Sequence, residues 1–402
     1  MIPPRLCADL EPITARVRER PEDFVVDEVL AYEPSGAGTH SWLRLEKRGL
    51  STFEAVRRLA RALGRPERDL GYAGLKDRQA VTRQWVSIEH ADEVALAELD
   101  VPGLTVLERT RHGNKCKLGH LRGNRFRLRL RGAGEGAAER ARAVLARLAR
   151  RGLPNAYGEQ RFGRDGATPE LGAMLLAERF EDFLRLWAAG ACGLAAGDVA
   201  GLGPEALLER GAGRDRQVAT ALARWRDRDA RKALRTIPRR FLSLCTAALQ
   251  SRAFNAVLAA RLDTLDRLLP GEQAVLHRNG ALFLVTDAAL EQPRCQAFEL
   301  SPSGPLPGPS CARPEGEALA VEEAALRGLD LDPARFAVKA PWSWPGGRRP
   351  LRVPLAEVGL AELDGDPPGT RDLELAFFLP AGSYATQVLH ELGCPTAGDH
   401  EA

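Results

Sequence analysis

The chain has 402 residues, of which 28% are charged and 44% hydrophobic, with 57 Lys and Arg against 54 Asp and Glu. Such a length allows two domains, each with its own core, and the composition excludes disordered, collagen-like and membrane-embedded classes. The N-terminus, Met-Ile-Pro-Pro-Arg-Leu-Cys, lacks an apolar signal-peptide core, and no apolar run approaches the length of a membrane span.

The seven cysteines are scattered, with no Cys-x-x-Cys pair, which predicts neither a structural zinc site nor a disulfide framework and points to a reducing cytoplasm. The near-neutral net charge hides an uneven distribution. Residues 109–131 hold nine Lys or Arg and no acid, and residues 214–240 hold ten against three Asp. That concentration suggests a face built for a polyanion.

In chain order, Phe24–Leu30 and Trp42–Glu46 alternate like half-buried strands. Ser51-Thr-Phe-Glu54 has capping-box spacing and opens a helix running through Val56, Leu59, Ala60 and Leu63. Next comes Gly71-Tyr-Ala-Gly-Leu-Lys-Asp-Arg-Gln-Ala-Val-Thr-Arg-Gln-Trp85. It places Asp77 between Lys76 and Arg78 in a glycine-rich turn and then runs into a strand. Two adjacent cations favour the ionised carboxylate, and such a group on a loop edge serves as nucleophile or general base. Read alone, a Lys-Asp-Arg tripeptide is most often a solvated turn. Arg125–Arg131 is a period-two strand, with Phe126, Leu128 and Leu130 on one face and Arg125, Arg127, Arg129 and Arg131 on the other, solvated one. Such a row either protects a sheet edge against aggregation or, beside a nucleotide site, contacts phosphates.

Ala137–Arg150 is an amphipathic helix stopped by Gly152 and Pro154. Asn155-Ala-Tyr-Gly-Glu-Gln-Arg-Phe-Gly163 follows, then an Ala/Leu/Arg-rich helical region to about residue 240, and a buried helix over Arg240–Asn255. Ala274–Leu276 and Leu282–Thr286 read as a hairpin, and Ser301–Pro314 as proline-rich irregular chain. The last element is a strand over Leu373–Leu379, the turn Pro380-Ala-Gly-Ser-Tyr384, and a helix capped by Ser383.

Four of these segments, in this order, resemble one family. Gly74, Lys76, Asp77, Ala80, Thr82 and Gln84 fall on the pattern Gly-x-Lys-Asp-x-x-Ala-x-Thr-x-Gln of the TruD family of tRNA pseudouridine synthases. Gly123-Asn-Arg-Phe126 matches its Gly-Asn-x-Phe, and Asn155–Gly163 its Asn-x-x-Gly-x-Gln-Arg-Phe-Gly. Pro380–Val388 matches its Pro-Ala-Gly-Ser-Phe-Ala-Thr-x-Val, with Tyr384 where the family carries Phe. The N-terminal Pro21-Glu-Asp-Phe24 adds a fifth match.

The resemblance implies an α+β fold: a pseudouridine synthase catalytic domain on a mixed or antiparallel sheet (residues 1–153 and 347–402), interrupted by an inserted α/β TRUD domain (154–346). It implies an isomerase that converts uridine to pseudouridine in tRNA, at uridine 13, through Asp77 as nucleophile, with Lys76 holding Asp77 ionised or meeting a phosphate. Phe24, Asn124, Phe126 and Tyr384 would hold a base turned out of the stack, and Arg125, Arg127 and Arg129 would meet the RNA backbone; by residue type alone Phe24 and Phe126 read as core rings and Gly123-Asn124 as a turn.

The seven histidines show no metal spacing, and no phosphate loop or dinucleotide fingerprint is present, so no metal and no cofactor are expected. Cys116, among cations, is expected to be somewhat activated. The expected partner is tRNA, bound by a cytoplasmic monomer without a membrane. A phosphotransferase with an aspartyl nucleophile would want a second acid two residues on, where this chain has Gln79. A non-catalytic RNA-binding protein is the other alternative, against which the Lys76–Asp77 pair argues.

Overall fold

The computed structural model describes residues 2–163, 165–329, 331, 335–336, 342 and 345–394. The chain divides into two compact units, one of residues 5–153 with 353–402, the other of residues 1–4 with 154–352.

The first unit begins with strands β1 (Arg16–Val17), β2 (Phe24–Leu30) and β3 (His40–Arg48), then helix α1 (Thr52–Ala62). Strands β4 (Leu70–Tyr72) and β5 (Val81–Glu89) flank the Asp77 loop. Helix α2 (Glu93–Ala97), strands β6 (Leu104–His112) and β7 (Leu121–Arg131) and helix α3 (Ala137–Arg151) complete this part. Ser51 caps α1, its Oγ accepting the Glu54 N–H at 3.1 Å, as the spacing predicts. Gly152 ends α3 at φ 90°, a conformation that favours glycine.

After the two-residue strand β8 (Leu153–Pro154), the second unit is first helical: α4 (Thr168–Leu176), α5 (Phe180–Cys192), α6 (Pro204–Glu209), α7 (Arg216–Asp227), α8 (Ala230–Ala233) and α9 (Arg239–Ala260). Helix α9 is buried on most of its faces between Leu242 and Leu258, with Thr246, Gln250, Ser251 and Asn255 among the buried residues. Strands β9 (Gln273–Leu276) and β10 (Leu282–Leu284) form the expected hairpin, followed by α10 (Ala288–Gln296), β11 (Leu300–Leu306), α11 (Gly316–Arg327) and β12 (Gly347–Pro350).

Strand β11 corrects the reading of Ser301–Pro314 as irregular. It is paired with β9 over Leu300–Pro302 and with β12 over Ser303–Leu306, so it changes partner at its first proline. A proline cannot donate to a ladder, and the partner change at Pro302 limits that loss. Burial of the strand supplies what its propensity does not.

The chain closes with β13 (Arg352–Val353), β14 (Ala356–Asp364), β15 (Arg371–Pro380) and α12 (Ala385–Leu392). The first unit's main sheet runs β14-β15-β7-β2-β5-β3-β6, with β1 beside β7 and β4 beside β5. Its pairs are antiparallel except β2 with β5, so the sheet is mixed and the fold α+β, as expected. No described helix is long and apolar enough to cross a membrane.

Register sorts the sheet's side chains, because alternate residues face opposite sides. One row of partners is Lys47, Thr82, Val26, Phe126 and Phe377; two residues along, Leu45 partners Gln84, and Asn124 partners Glu28 and Leu379. These residues share the core face, where the apolar members join residues of α1, α3 and α12 in two clusters. The opposite face carries charges: Arg44 with Asp27 (2.8 Å), Arg83 with Glu46 (3.0 Å), Arg125 with Glu357 (2.6 Å) and Arg129 with Asp372 (2.7 Å). Arg131 departs from the solvated row expected for it. It is 5% exposed and binds buried Asp23 through both Nε and Nη2, a bidentate pair that satisfies a buried carboxylate.

Candidate active site

Asp77 stands on the loop between β4 and β5, its side chain 56% exposed, and the loop beneath it is held by buried polar contacts. The Lys76 N–H donates to Thr52 Oγ1 (2.9 Å), and the Thr52 hydroxyl donates to Gln84 Oε1 (3.0 Å). Thr52 opens α1 and Gln84 lies on β5, so the network ties the loop to both elements. The Gln of the Lys-Asp motif thereby has a physical role, orienting the hydroxyl that anchors the loop.

Lys76 does not do what the sequence suggested. Its ammonium lies 2.6 Å from Glu28 Oε2, and the two side chains are 4% and 0% exposed. It therefore neither faces the Asp77 carboxylate nor is open to a phosphate. Glu28 spends its other oxygen on the Trp85 N–H at 3.1 Å, so the buried pair links β2, β5 and the loop. A side chain at Gly74 would bring its Cβ to 3.2 Å from the Lys76 ammonium; glycine leaves the lysine room to reach Glu28.

The other sequence neighbour, Arg78, donates to the Gly49 carbonyl at 3.1 Å. The cation that meets the Asp77 carboxylate is Arg18, at 3.4 Å from Nη2 to Oδ2. Arg18 has φ 57°, an uncommon conformation for a residue with a Cβ. Its guanidinium lies 3.9 Å over the Phe24 ring, and its side chain is 10% exposed. Burial pushes its pKa below the ordinary arginine range, which Asp77 opposes. Sequence reasoning missed it, since no local pattern marks Arg18 out from Arg16 or Arg20.

Lys47 approaches from the other side. Its ammonium donates to the Leu50 carbonyl (2.6 Å) and to the Asp77 backbone carbonyl (2.8 Å), and the residue is 1% exposed. Burial pushes it down to about 8, with Asp77 opposing and Lys76 adding to the shift. Glu28 and Lys47 each had a visible signal: period two puts them on the same strand faces as Phe24 and Val26, and as Leu43 and Leu45.

The proposed base-binding residues separate into two kinds. Phe24 is 3% and Phe126 8% exposed; they meet edge to face at 6.1 Å, and Phe126 stacks on Phe377 at 5.5 Å. They are core rings under the site. Asn124 holds a buried Oδ1 that no group hydrogen-bonds among the described residues, an uncommon state for a buried amide. It follows Gly123, where a Cβ would stand 2.3 Å from the Leu379 carbonyl oxygen, so only glycine lets β7 and β15 close there.

Tyr384 is 43% exposed and occupies the N-cap position of α12. Ser383, expected to cap that helix, does not: its Oγ is buried without a hydrogen-bond partner among the described residues. The helix begins one residue later than its Ser suggested, with Gln387 N–H donating to the Tyr384 carbonyl. Arg125 and Arg127 are each 54% and Arg129 30% exposed, and carboxylates Glu357, Glu374 (3.8 Å) and Asp372 face them. Cys116 is 1% exposed and pushed up to about 12 by burial; it is a core thiol, and the nearby cations do not activate it. Among the described residues no group of His, Cys, Asp and Glu is placed to hold a metal.

This arrangement presents an exposed carboxylate on a loop anchored by buried polar contacts, backed by buried cations, with an unmatched amide oxygen on the strand beside Glu28. It suits attack on, or proton abstraction from, a bound substrate.

Comparison with known proteins adds the family. The model described as tRNA pseudouridine synthase D (TruD) matches residues 4–392. The chain is 43% identical over 399 residues to a tRNA pseudouridine synthase D of Geobacter sulfurreducens, covering 96% of each chain. It is 38% identical over 400 residues to one of Thermus thermophilus, covering 99% of this chain and 94% of the relative. A solved Methanosarcina mazei structure described as a TruD protein superposes with a TM-score of 0.83 at 24% identity, over 97% of this chain and 96% of that one, which establishes the shared fold. With the family's pattern running nearly end to end and relatives this similar along the whole length, the chain belongs to the tRNA pseudouridine synthase D (TruD) family.

Proposed function

We propose that the protein isomerises uridine to pseudouridine in tRNA, at uridine 13, with the Asp77 carboxylate acting on the ribose of the target nucleotide. In this reaction the N1–C1′ bond breaks, the uracil turns, and a C5–C1′ bond forms. C5 loses a proton and N1 gains one, so no electron or group carrier is required. Family membership supports the reaction class. The observation that carries the assignment of Asp77 is its position: an exposed carboxylate on a loop anchored through the buried side chains of Thr52, Lys76 and Lys47. The choice of uridine 13 rests on the motif resemblance.

In this reading Arg18 aims the Asp77 carboxylate, and a charge-assisted contact of that kind strengthens as the site loses water. The unmatched Asn124 oxygen accepts the uracil N3–H, an edge contact that a flipped base offers. Tyr384 supplies an exposed ring for stacking. Phe24 and Phe126 support the site from the core: Arg18 covers Phe24, and Phe126 packs on Phe377. Arg125, Arg127 and Arg129, and the exposed cations between Arg214 and Arg240, grip phosphates; the first three exchange a carboxylate for a phosphate when RNA arrives. The unit holding Asp77 is the catalytic domain, and residues 154–346 are the inserted TRUD domain.

The test is tritium release from C5-labelled uridine in prefolded tRNA with purified protein and excess chelator. The proposal expects release of one tritium per tRNA, lost when position 13 is cytidine. No release sinks the reaction, and release independent of position 13 sinks the site.

A further inference from the structure

Lys47 is a buried cation whose presence stability alone does not explain. Its strand partners are Thr82 on β5 and Leu104 on β6, both uncharged. Among the described residues no carboxylate lies within ion-pair distance of it. The charged groups facing it are Asp77 and Lys76, both from the loop between β4 and β5. Its own neighbours in sequence, Glu46 and Arg48, pair with each other at 3.0 Å. A cation taken out of water without a counter-ion costs the fold several kcal/mol, and an apolar side chain on this face would avoid that cost.

What Lys47 receives in return is two carbonyls, Leu50 at 2.6 Å and Asp77 at 2.8 Å. One belongs to the chain entering α1, the other to the proposed catalytic residue. Together with the Glu28–Lys76 pair on the preceding residue, it holds the loop from two sides: Lys76 by its side chain and Asp77 by its backbone. Among the described residues the side chain of Asp77 is thereby left with Arg18 as its ion-pair partner.

We propose that Lys47 is the positioning residue of this site: its ammonium fixes the Asp77 backbone and sets a positive charge behind the carboxylate. The inference rests on the reading of Asp77 given above. Lys47 touches no reacting atom; it acts through Asp77. A misplacement of about 1 Å at a reacting group costs on the order of a hundredfold in rate, which is the scale of effect the latch controls. The charged form is present below about pH 8, and deprotonation removes both the charge and the charge-assisted part of the two hydrogen bonds.

The experiment is single-turnover pseudouridine formation by wild type and Lys47→Met, from pH 6.5 to 9, with tRNA affinity and melting temperature measured on the same samples. Met keeps the length and removes the buried charge. The expected result is a ten- to hundredfold lower rate at pH 7, tRNA affinity within twofold and a melting temperature that does not fall. The wild-type rate should decline as pH rises through about 8, and the variant should be flat there. Faster amide hydrogen exchange over residues 75–79 in the variant would report the loosened loop without relying on activity. A variant as fast as wild type, or one whose rate falls only in step with its folded fraction, overturns the proposal. An inactive wild type defeats the functional reading instead, and hydrogen exchange then still tests the latch.

Discussion

Replacing Glu28 with Gln tests whether the loop of Asp77 is set by a buried charge pair. The substitution keeps the shape and an acceptor for the Trp85 N–H but removes the charge opposite Lys76. Glu28 is 0% and Lys76 4% exposed, so water cannot take the place of the lost carboxylate without opening the sheet. Removing one partner of a buried pair costs about 3–5 kcal/mol, and the whole range applies, because the one oxygen of Gln, if it keeps the Trp85 N–H, leaves an amide NH2 facing the ammonium. For a unit of roughly 150–250 residues each kcal/mol moves the melting point by about 2–4 °C. The expected fall is therefore about 6–20 °C, measured by calorimetry, with pseudouridine formation lost beyond the loss of folded protein. The double variant Glu28→Gln, Lys76→Met removes both charges and should recover a substantial part of the stability. A single variant within 2 °C of wild type would show that the pair does not hold the loop, and the role given to the Lys76 side chain would be wrong.

Arg18→Ala should lower the single-turnover rate by about 10- to 100-fold, the equivalent of one charge-assisted hydrogen bond, while tRNA affinity holds and Arg18→Lys restores part of the rate. An unchanged rate in the Ala variant would leave Asp77 without its proposed partner. Replacing Arg125, Arg127 and Arg129 with Gln should weaken tRNA binding and lower the slope of log affinity against log salt by about 2.1–2.7, since each lost phosphate contact lowers it by about 0.7–0.9. A slope equal to wild type would mean that their carboxylate partners keep these arginines from RNA.

Much of the sheet was legible because its strands bury one face, and burial of one face writes a period of two. Phe126, Leu128 and Leu130 on β7 are the plainest case. The same periodicity also marks two charges. Glu28 and Lys47 interrupt apolar rows, and a charge on a core face calls for a partner. Arg18 left no such mark, since its contact with Asp77 comes from the turn before β2 meeting the loop before β5 in space. Charges adjacent in sequence misled for the same reason: Lys76 and Arg78 flank Asp77 along the chain, but their side chains turn to Glu28 and Gly49. Likewise, β11 was hidden by its prolines, which lower strand propensity, whereas burial between β9 and β12 decides the conformation. Ser383 had the residue type of a cap but not the position.

Everything proposed for this site depends on the Asp77 carboxylate performing the reaction, and Asp77→Asn probes that dependence with the least disturbance. Asn has nearly the same shape, and the loop's anchors (Thr52, Glu28 and Lys47) do not involve the Asp77 side chain. Fold and tRNA affinity should therefore stay close to wild type while tritium release from C5-labelled uridine falls to background. A folded, tRNA-binding Asn variant that still forms pseudouridine at more than a trace of the wild-type rate would remove Asp77 from the chemistry.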